Sequence, residues 1–393
     1  MTTTPAGARR SGWLDPWAFA AGAAALLPLL KAIGAPLGEP VADDFDFLHH
    51  ALFGPRNLFD GGGALIYWRP LARQIYYGAL GHVMLTSPLA IALLHVTLLA
   101  AAAVLIQRAL APAMGGARAA AAATFPVIAD SARTLILWPA AIQDLGALFF
   151  SALALHETTR RRLPSAIGAM LAALLCKELS IVLALLLPFL PGTPRRERRR
   201  WMMGMGILVA TWGIAYAIVL RSAHLMVQGQ LEGARPALFL RALWAFRSAI
   251  QDGFGLAAAP WPAAIGFFAL VVLVAFVSLR GADQRRAWTF WGAIWFALAT
   301  LTLAETYPVW GSFRSTLGMA GLGIACAAAV GSQRLVLGGV VVLRLVMLDC
   351  LGEKGAVHHV LPPRQRCATT LATTMVSVCF QPGLLTRGIH LAG

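Results

Sequence analysis

Apolar stretches of about 17 to 25 residues, the length a helix needs to cross a bilayer, recur along nearly the whole of this chain. They fall near 17 to 37, 84 to 107, 112 to 129, 139 to 156, 201 to 220, 261 to 279, 287 to 304, 315 to 330 and 335 to 348. With 59% hydrophobic and only 12% charged residues, and a mean hydropathy of +0.71, the chain is far from an ordinary soluble protein. These runs predict an all-α polytopic membrane protein.

The basic residues set the expected topology. A net charge of +15 could suggest nucleic acid, but the arginines sit in short clusters between apolar runs, as the positive-inside bias produces, so no nucleic-acid role is expected. With Arg9 and Arg10 cytoplasmic, successive crossings bring Arg108 and Arg118, Arg160 to Arg162, and Arg280, Arg285 and Arg286 to the same side. The run RRERRR at 195 to 200 joins them only if 163 to 191 crosses twice. That stretch is therefore expected to form two short helices meeting at the opposite face, around Lys177 and Glu178. About eleven spans result, in a core over 1 to 349. From 350 to 393 the composition changes, and this part reads as a disordered tail or the product of a shifted reading frame. An uncleaved first helix and a bacterial inner membrane are expected. The five cysteines show neither a CxxC pair nor a metal-ligand rhythm.

On the face opposite the arginines, the loop at about 38 to 74 carries VADDFDFLHH, with Asp43, Asp44 and Asp46 in four residues. Charged groups near hydrocarbon are costly, so they persist where they line water, a substrate or a partner. One acid would suffice for a helix cap. The same loop holds His49, His50, glycines 61 to 63 and Tyr67-Trp68-Arg69-Pro70-Leu71. Aromatics beside an arginine can anchor an interface or cradle an anionic ligand, because guanidinium grips phosphate with two prongs.

The acidic pair after the first helix, the YWRPL stretch and a helix bearing LLHVTLL together resemble the GT-C membrane glycosyltransferases, in particular the protein O-mannosyltransferase-like group. FPVIADSARTLILWPAAIQDLGALFFSALAL is similar to that group's second outer loop and following helix, and LLCKELSIVLALLLPFL to its Lys-Glu motif. The resemblance implies a GT-C-like bundle that moves a sugar from a polyisoprenyl-phosphate donor to an acceptor hydroxyl on protein, glycan or lipid at the non-cytoplasmic face, with a first-loop carboxylate as base. Asp44 is the first candidate for that base, with Asp43 and Asp46 open. The resemblance assigns Arg69, Lys177, Glu178, Asp130, Asp144 and, more loosely, Arg314 of ETYPVWGSFR to donor phosphate and substrate. Arginine or lysine would steady the departing phosphate.

Plainer roles remain for several of these residues. Lys177 and Glu178 could pair with each other across a turn, Asp144 could cap a helix, and His95 is expected as a packed histidine bonded to a backbone carbonyl. Paired acids such as Asp43 and Asp44 could hold a divalent cation through oxygen ligands, whereas a base needs none. A transporter or lipid-carrier flippase would also be polytopic, yet no internal repeat stands out. A surface-polysaccharide ligase or polymerase would depend less on a first-loop acid.

Overall fold

The computed structural model describes residues 15–129, 131–225, 236–254, 283–306 and 310–330. Asp130, the runs 261 to 279 and 335 to 348, and the tail 350 to 393 lie outside them. Among the described residues the fold is helical, with no strand. Four helical stretches are long and apolar enough to cross a membrane: Pro88–Met114, Arg195–Ser222, Asp283–Thr306 and Ser312–Val330. A fifth results if the pair Gly116–Val127 and Ser131–Leu137, bent by 63°, counts as one span.

Those described spans are fewer than about eleven because two expected runs, 261 to 279 and 335 to 348, lie outside the described residues and several others are broken or short. The run from 17 divides into α1 (Pro16–Ala23) and α2 (Leu26–Lys31). After α3 (Asp44–Phe53) in the first loop, α4 (Tyr76–Thr86) is separated by Ser87 from α5 (Pro88–Met114), which begins with proline where no amide partner is needed. Gly115, at φ +85°, turns the chain into α6 (Gly116–Val127), and α7 (Ser131–Leu137) follows. Next come α8 (Ile142–Thr159) and α9 (Leu163–Cys176). The stretch from 163 does divide in two, because Lys177 is extended (φ −158°, ψ 129°) and ends α9 before the turn that leads into α10 (Ile181–Leu186). The remaining helices are α11 (Arg195–Ser222), α12 (Leu238–Phe254), α13 (Asp283–Thr302) and α14 (Thr316–Val330).

Helices α5, α6, α8 and α9 pack together over an alanine-rich core in which Ala102, Ala119, Ala122, Ala154 and Ala173 are fully buried. Small residues let helix backbones approach closely where no water drives association. Between α13 and α14 the approach is tighter still. A Cβ on Gly292 would stand 2.6 Å from the Gly321 carbonyl oxygen, and one on Gly321 would stand 2.7 Å from the Phe296 nitrogen.

The bundle has two chemically different ends. Thr158 of α8, Glu197 of α11 and Trp288 of α13 border one groove with Arg161, while Asp144, Trp212 and Thr302 of the same three helices border a cavity at the other end. Asp144 and Thr158 are about 21 Å apart along their helix at ~1.5 Å per residue. Arg161 reaches Glu197 at 2.7 Å, which joins the turns at 160 to 162 and 195 to 200 at the groove end.

Candidate active site

The cavity measures about 600 Å³ and is closed by five parts of the chain: the first loop, the start of α8, the break at Lys177, the upper part of α11, and the junction between α13 and α14. It gathers Asp43, Arg69, Asp144, Lys177, Glu178 and Arg314. Residues more than 270 positions apart thus share one chamber.

The first loop is shaped by its own hydrogen bonds. Arg73 Nη1 donates to the carbonyls of Gly61 (3.0 Å), Ile66 (2.6 Å) and Tyr67 (2.9 Å), and the Trp68 indole donates to the Leu58 carbonyl at 2.7 Å. Gly63 sits at φ +92° with its α-carbon against the Asp46 backbone, where a Cβ would lie 2.4 Å from that carbonyl oxygen. Two non-glycine residues also hold positive φ, Ala42 (47°) just before Asp43 and Tyr67 (58°) on the cavity wall. Such conformations are costly and gather where a site needs them.

The three first-loop acids separate. Asp44 is fully buried, accepts from the Val41 amide at 2.7 Å and from the Tyr77 hydroxyl, and ties the loop to α4. Burial pushes its carboxyl up to about 6. Asp43 is exposed at the start of α3, makes no side-chain cap bond and faces the cavity. Asp46 is exposed on the first turn of α3, outside the cavity lining. The oxygens of Asp44 are thus engaged by Val41 and Tyr77 while Asp43 is exposed, and among the described residues no three His, Cys, Asp or Glu side chains stand close enough to hold one ion.

Two ion pairs line the chamber. Both oxygens of Glu178 accept from Arg69, at 2.8 Å from Nε and 2.5 Å from Nη2, while Arg69 Nη1 donates to Gln143 Oε1 at 2.5 Å. The Tyr67 ring lies 4.5 Å from that guanidinium. Lys177 donates to Asp144 at 2.5 Å, with both side chains buried. Lys177 and Glu178 thus bond to distant partners rather than to each other. Asp144 lies in the first turn of α8 but does not cap it, since its bond goes to Lys177. His95 packs as expected, with Nδ1 donating to the Leu135 carbonyl at 2.6 Å and Nε2 accepting from Tyr76 at 2.7 Å.

Trp138 belongs to the second outer-loop stretch that carried the resemblance, whereas Arg73 and Trp212 were not marked by sequence motifs; together the three define what the cavity lacks. Arg73 Nε, Trp138 Nε1 and Trp212 Nε1 are buried in the cavity lining without a hydrogen-bond partner. Arg73 bonds only to carbonyl oxygens, so its charge meets no carboxylate in direct contact. Burial, and then the neighbouring Arg69, lower its guanidinium pKa from the ordinary value. Buried polar groups are normally satisfied, so these three donors, on three segments of the lining, are hydrogen-bonding capacity that the protein itself leaves unused. The four-residue spacing from Arg69 to Arg73, which puts both on one helical face, was the available signal for the second arginine. Comparison with protein-family models, curated proteins and solved structures gives no match for this chain.

Proposed function

We propose that this chain is a membrane glycosyltransferase of GT-C type. It takes a sugar from a polyisoprenyl phosphate and passes it to an acceptor hydroxyl on protein, glycan or lipid, at the face toward which the cavity lies. The observation that carries this reading is the set of unmet donors in the cavity lining, in Arg73, Trp138 and Trp212, in the same chamber as an exposed carboxylate, Asp43. Donors and cations suit a phosphate that gains charge as it leaves; a free carboxylate suits a proton acceptor.

In the proposed reaction Asp43 takes the proton of the acceptor hydroxyl as its oxygen bonds to the anomeric carbon. The bond from that carbon to the phosphate oxygen breaks, and polyisoprenyl phosphate departs. Arg73 and the two indole N–H groups receive the phosphate oxygens. Arg69 and Lys177, held by Glu178 and Asp144, keep positive charge near the phosphate, and Arg314 lies in the same lining. Asp44 holds the loop that presents Asp43.

The finer membrane arrangement belongs to the same proposal: about eleven spans, the N-terminus on the arginine-rich side, and a bacterial inner membrane. The cavity stands about 21 Å from the arginine-rich groove along α8, while the hydrocarbon is about 30 Å thick. The catalytic floor then lies roughly 10 Å below the far interface, within reach of a donor whose lipid tail stays in the bilayer. The gathering of Asp43, Asp144 and Glu178 in one chamber near the start of α8, away from the middle of that helix, favours this reading over a transporter. Membranes containing the chain, given radiolabelled sugar on a panel of polyisoprenyl phosphates, should transfer label to endogenous acceptors, and Asp43→Asn should abolish transfer at equal expression. Uptake or flipping of the donor without any bond transfer would overturn the proposal.

A further inference from the structure

The groove at the opposite end carries a second, separate set of unmet donors. It measures about 220 Å³ and lies between the α8–α9 turn, the 190 to 194 turn, the start of α11, and Trp288. Trp288 is only 4% exposed, and its Nε1 is buried without a partner. The hydroxyls of Thr158 and Thr159 donate back to Ala154 and His156, so they offer oxygens only. Thr193 and Pro194 lead into α11, a 28-residue helix whose N-cap, Pro194, gives no side-chain bond; its first-turn amides and dipole favour an anion.

The charges around the groove are strongly biased. Arg160 to Arg162 and the five arginines among residues 195 to 200 outnumber the acids of the same two stretches, Glu157 and Glu197. Glu197 pairs with Arg161 at 2.7 Å and Glu157 with Arg162 at 3.7 Å. Arg198 carries another buried Nε without a partner. Arg161 holds φ +59°, an uncommon conformation for a non-glycine residue, beside this groove. The rest of the lining is apolar, with Pro112, Leu190, Pro191 and Trp201. Farther along α11, Met203, Ile207 and Ile214 are exposed, on a face about 120° round the helix from Glu197 and Trp201.

We infer that this groove binds the phosphate of an anionic phospholipid headgroup, with Trp288 Nε1, Arg161 and the α11 N-terminus as its donors. A basic pocket between helices whose remaining lining is apolar is what such a headgroup requires. The inference does not depend on the transferase reading, because the two sites share no residue.

The test uses the whole chain purified in detergent and mixed with micelles containing phosphatidylglycerol or phosphatidylcholine, with retained lipid counted by native mass spectrometry. A third arm measures the thermal midpoint with inorganic phosphate alone. Phosphatidylglycerol should be retained over phosphatidylcholine, and Arg161→Gln should weaken its retention about fivefold, the equivalent of ~1 kcal/mol for one basic contact. Trp288→Phe, which keeps the ring and removes the N–H, should weaken it by a similar factor. Because Arg161 is largely exposed, its replacement tests the site without unfolding the bundle. Equal retention of both lipids, no effect of either substitution, or stabilisation by inorganic phosphate as great as by phosphatidylglycerol would overturn the inference.

Discussion

At the cavity end, Arg69 is gripped by both oxygens of Glu178 and by Gln143, and Lys177 lies buried against Asp144. At the groove end, Arg161 meets Glu197 with its side chain 63% exposed, among arginines that mostly face solvent. One residue type therefore serves two purposes. In the buried chamber an ion pair is held in a fixed geometry and its loss leaves a charge stranded. In the exposed turns, charge acts through number and position relative to the membrane, and an individual pair contributes little. The sequence shows basic residues in clusters at the groove end and singly at the cavity end; burial and partner choice separate a candidate active site from a topology signal.

The largest expected effect lies at the acids. Asp43→Asn should lower transfer by about 10²- to 10⁴-fold, the usual contribution of a general base, while leaving the thermal midpoint close to that of the parent. Asp44→Asn should act in the other order, lowering the midpoint and reducing transfer only as the loop loosens. Rates and midpoints measured together distinguish them, and a rate loss confined to Asp44→Asn would reverse their roles.

Next comes the comparison of pairs. Removing one partner of a buried pair, as in Lys177→Met, should destabilise by about 3–5 kcal/mol, and Lys177→Met with Asp144→Leu should recover much of it. A double-mutant cycle on Arg161 and Glu197 should return a coupling of about 1 kcal/mol or less. Equal couplings in the two regions would break the contrast drawn above.

A third effect concerns pH. Folding raises the Asp44 carboxyl from 3.8 to about 6, so the protonated form is the one the folded state favours. Its contribution, on the order of 3 kcal/mol, is complete below pH 3.8 and is lost as pH rises through about 6. The thermal midpoint should fall across that window, and Asp44→Asn should flatten the slope. Smallest of all, Arg199→Gln in the exposed run should change stability by under about 0.5 kcal/mol.

Much of this arrangement was legible in the sequence, for physical reasons that also mark its limits. Apolar length announced helices, and the arginine run at 195 to 200 required a break in 163 to 191, which falls at Lys177. The motifs led to Arg69, Asp144, Lys177, Glu178 and Arg314, which do share one chamber. Which first-loop acid faces the chamber was not legible, because it depends on the Tyr77 hydroxyl and Val41 amide, which claim Asp44 and leave Asp43 free of a cap bond. Trp138 lay in the second outer-loop motif, but Arg73 and Trp212 stayed hidden since their importance lies in bonds they fail to make, a property of packing. The run at 17 to 37 looked like one span because hydropathy does not register the turn between α1 and α2.

The central claim is that a lipid-linked phosphate enters the donor-rich cavity. Photocrosslinking with a diazirine-bearing polyisoprenyl phosphate sugar, followed by peptide mapping, tests it most directly. The account predicts adducts on the cavity segments around Tyr67, Trp138 and Trp212 to Tyr216, competed by unlabelled donor and strongly reduced by Arg73→Gln. Adducts confined to the outer surface of the bundle, or cavity adducts indifferent to Arg73, would contradict it.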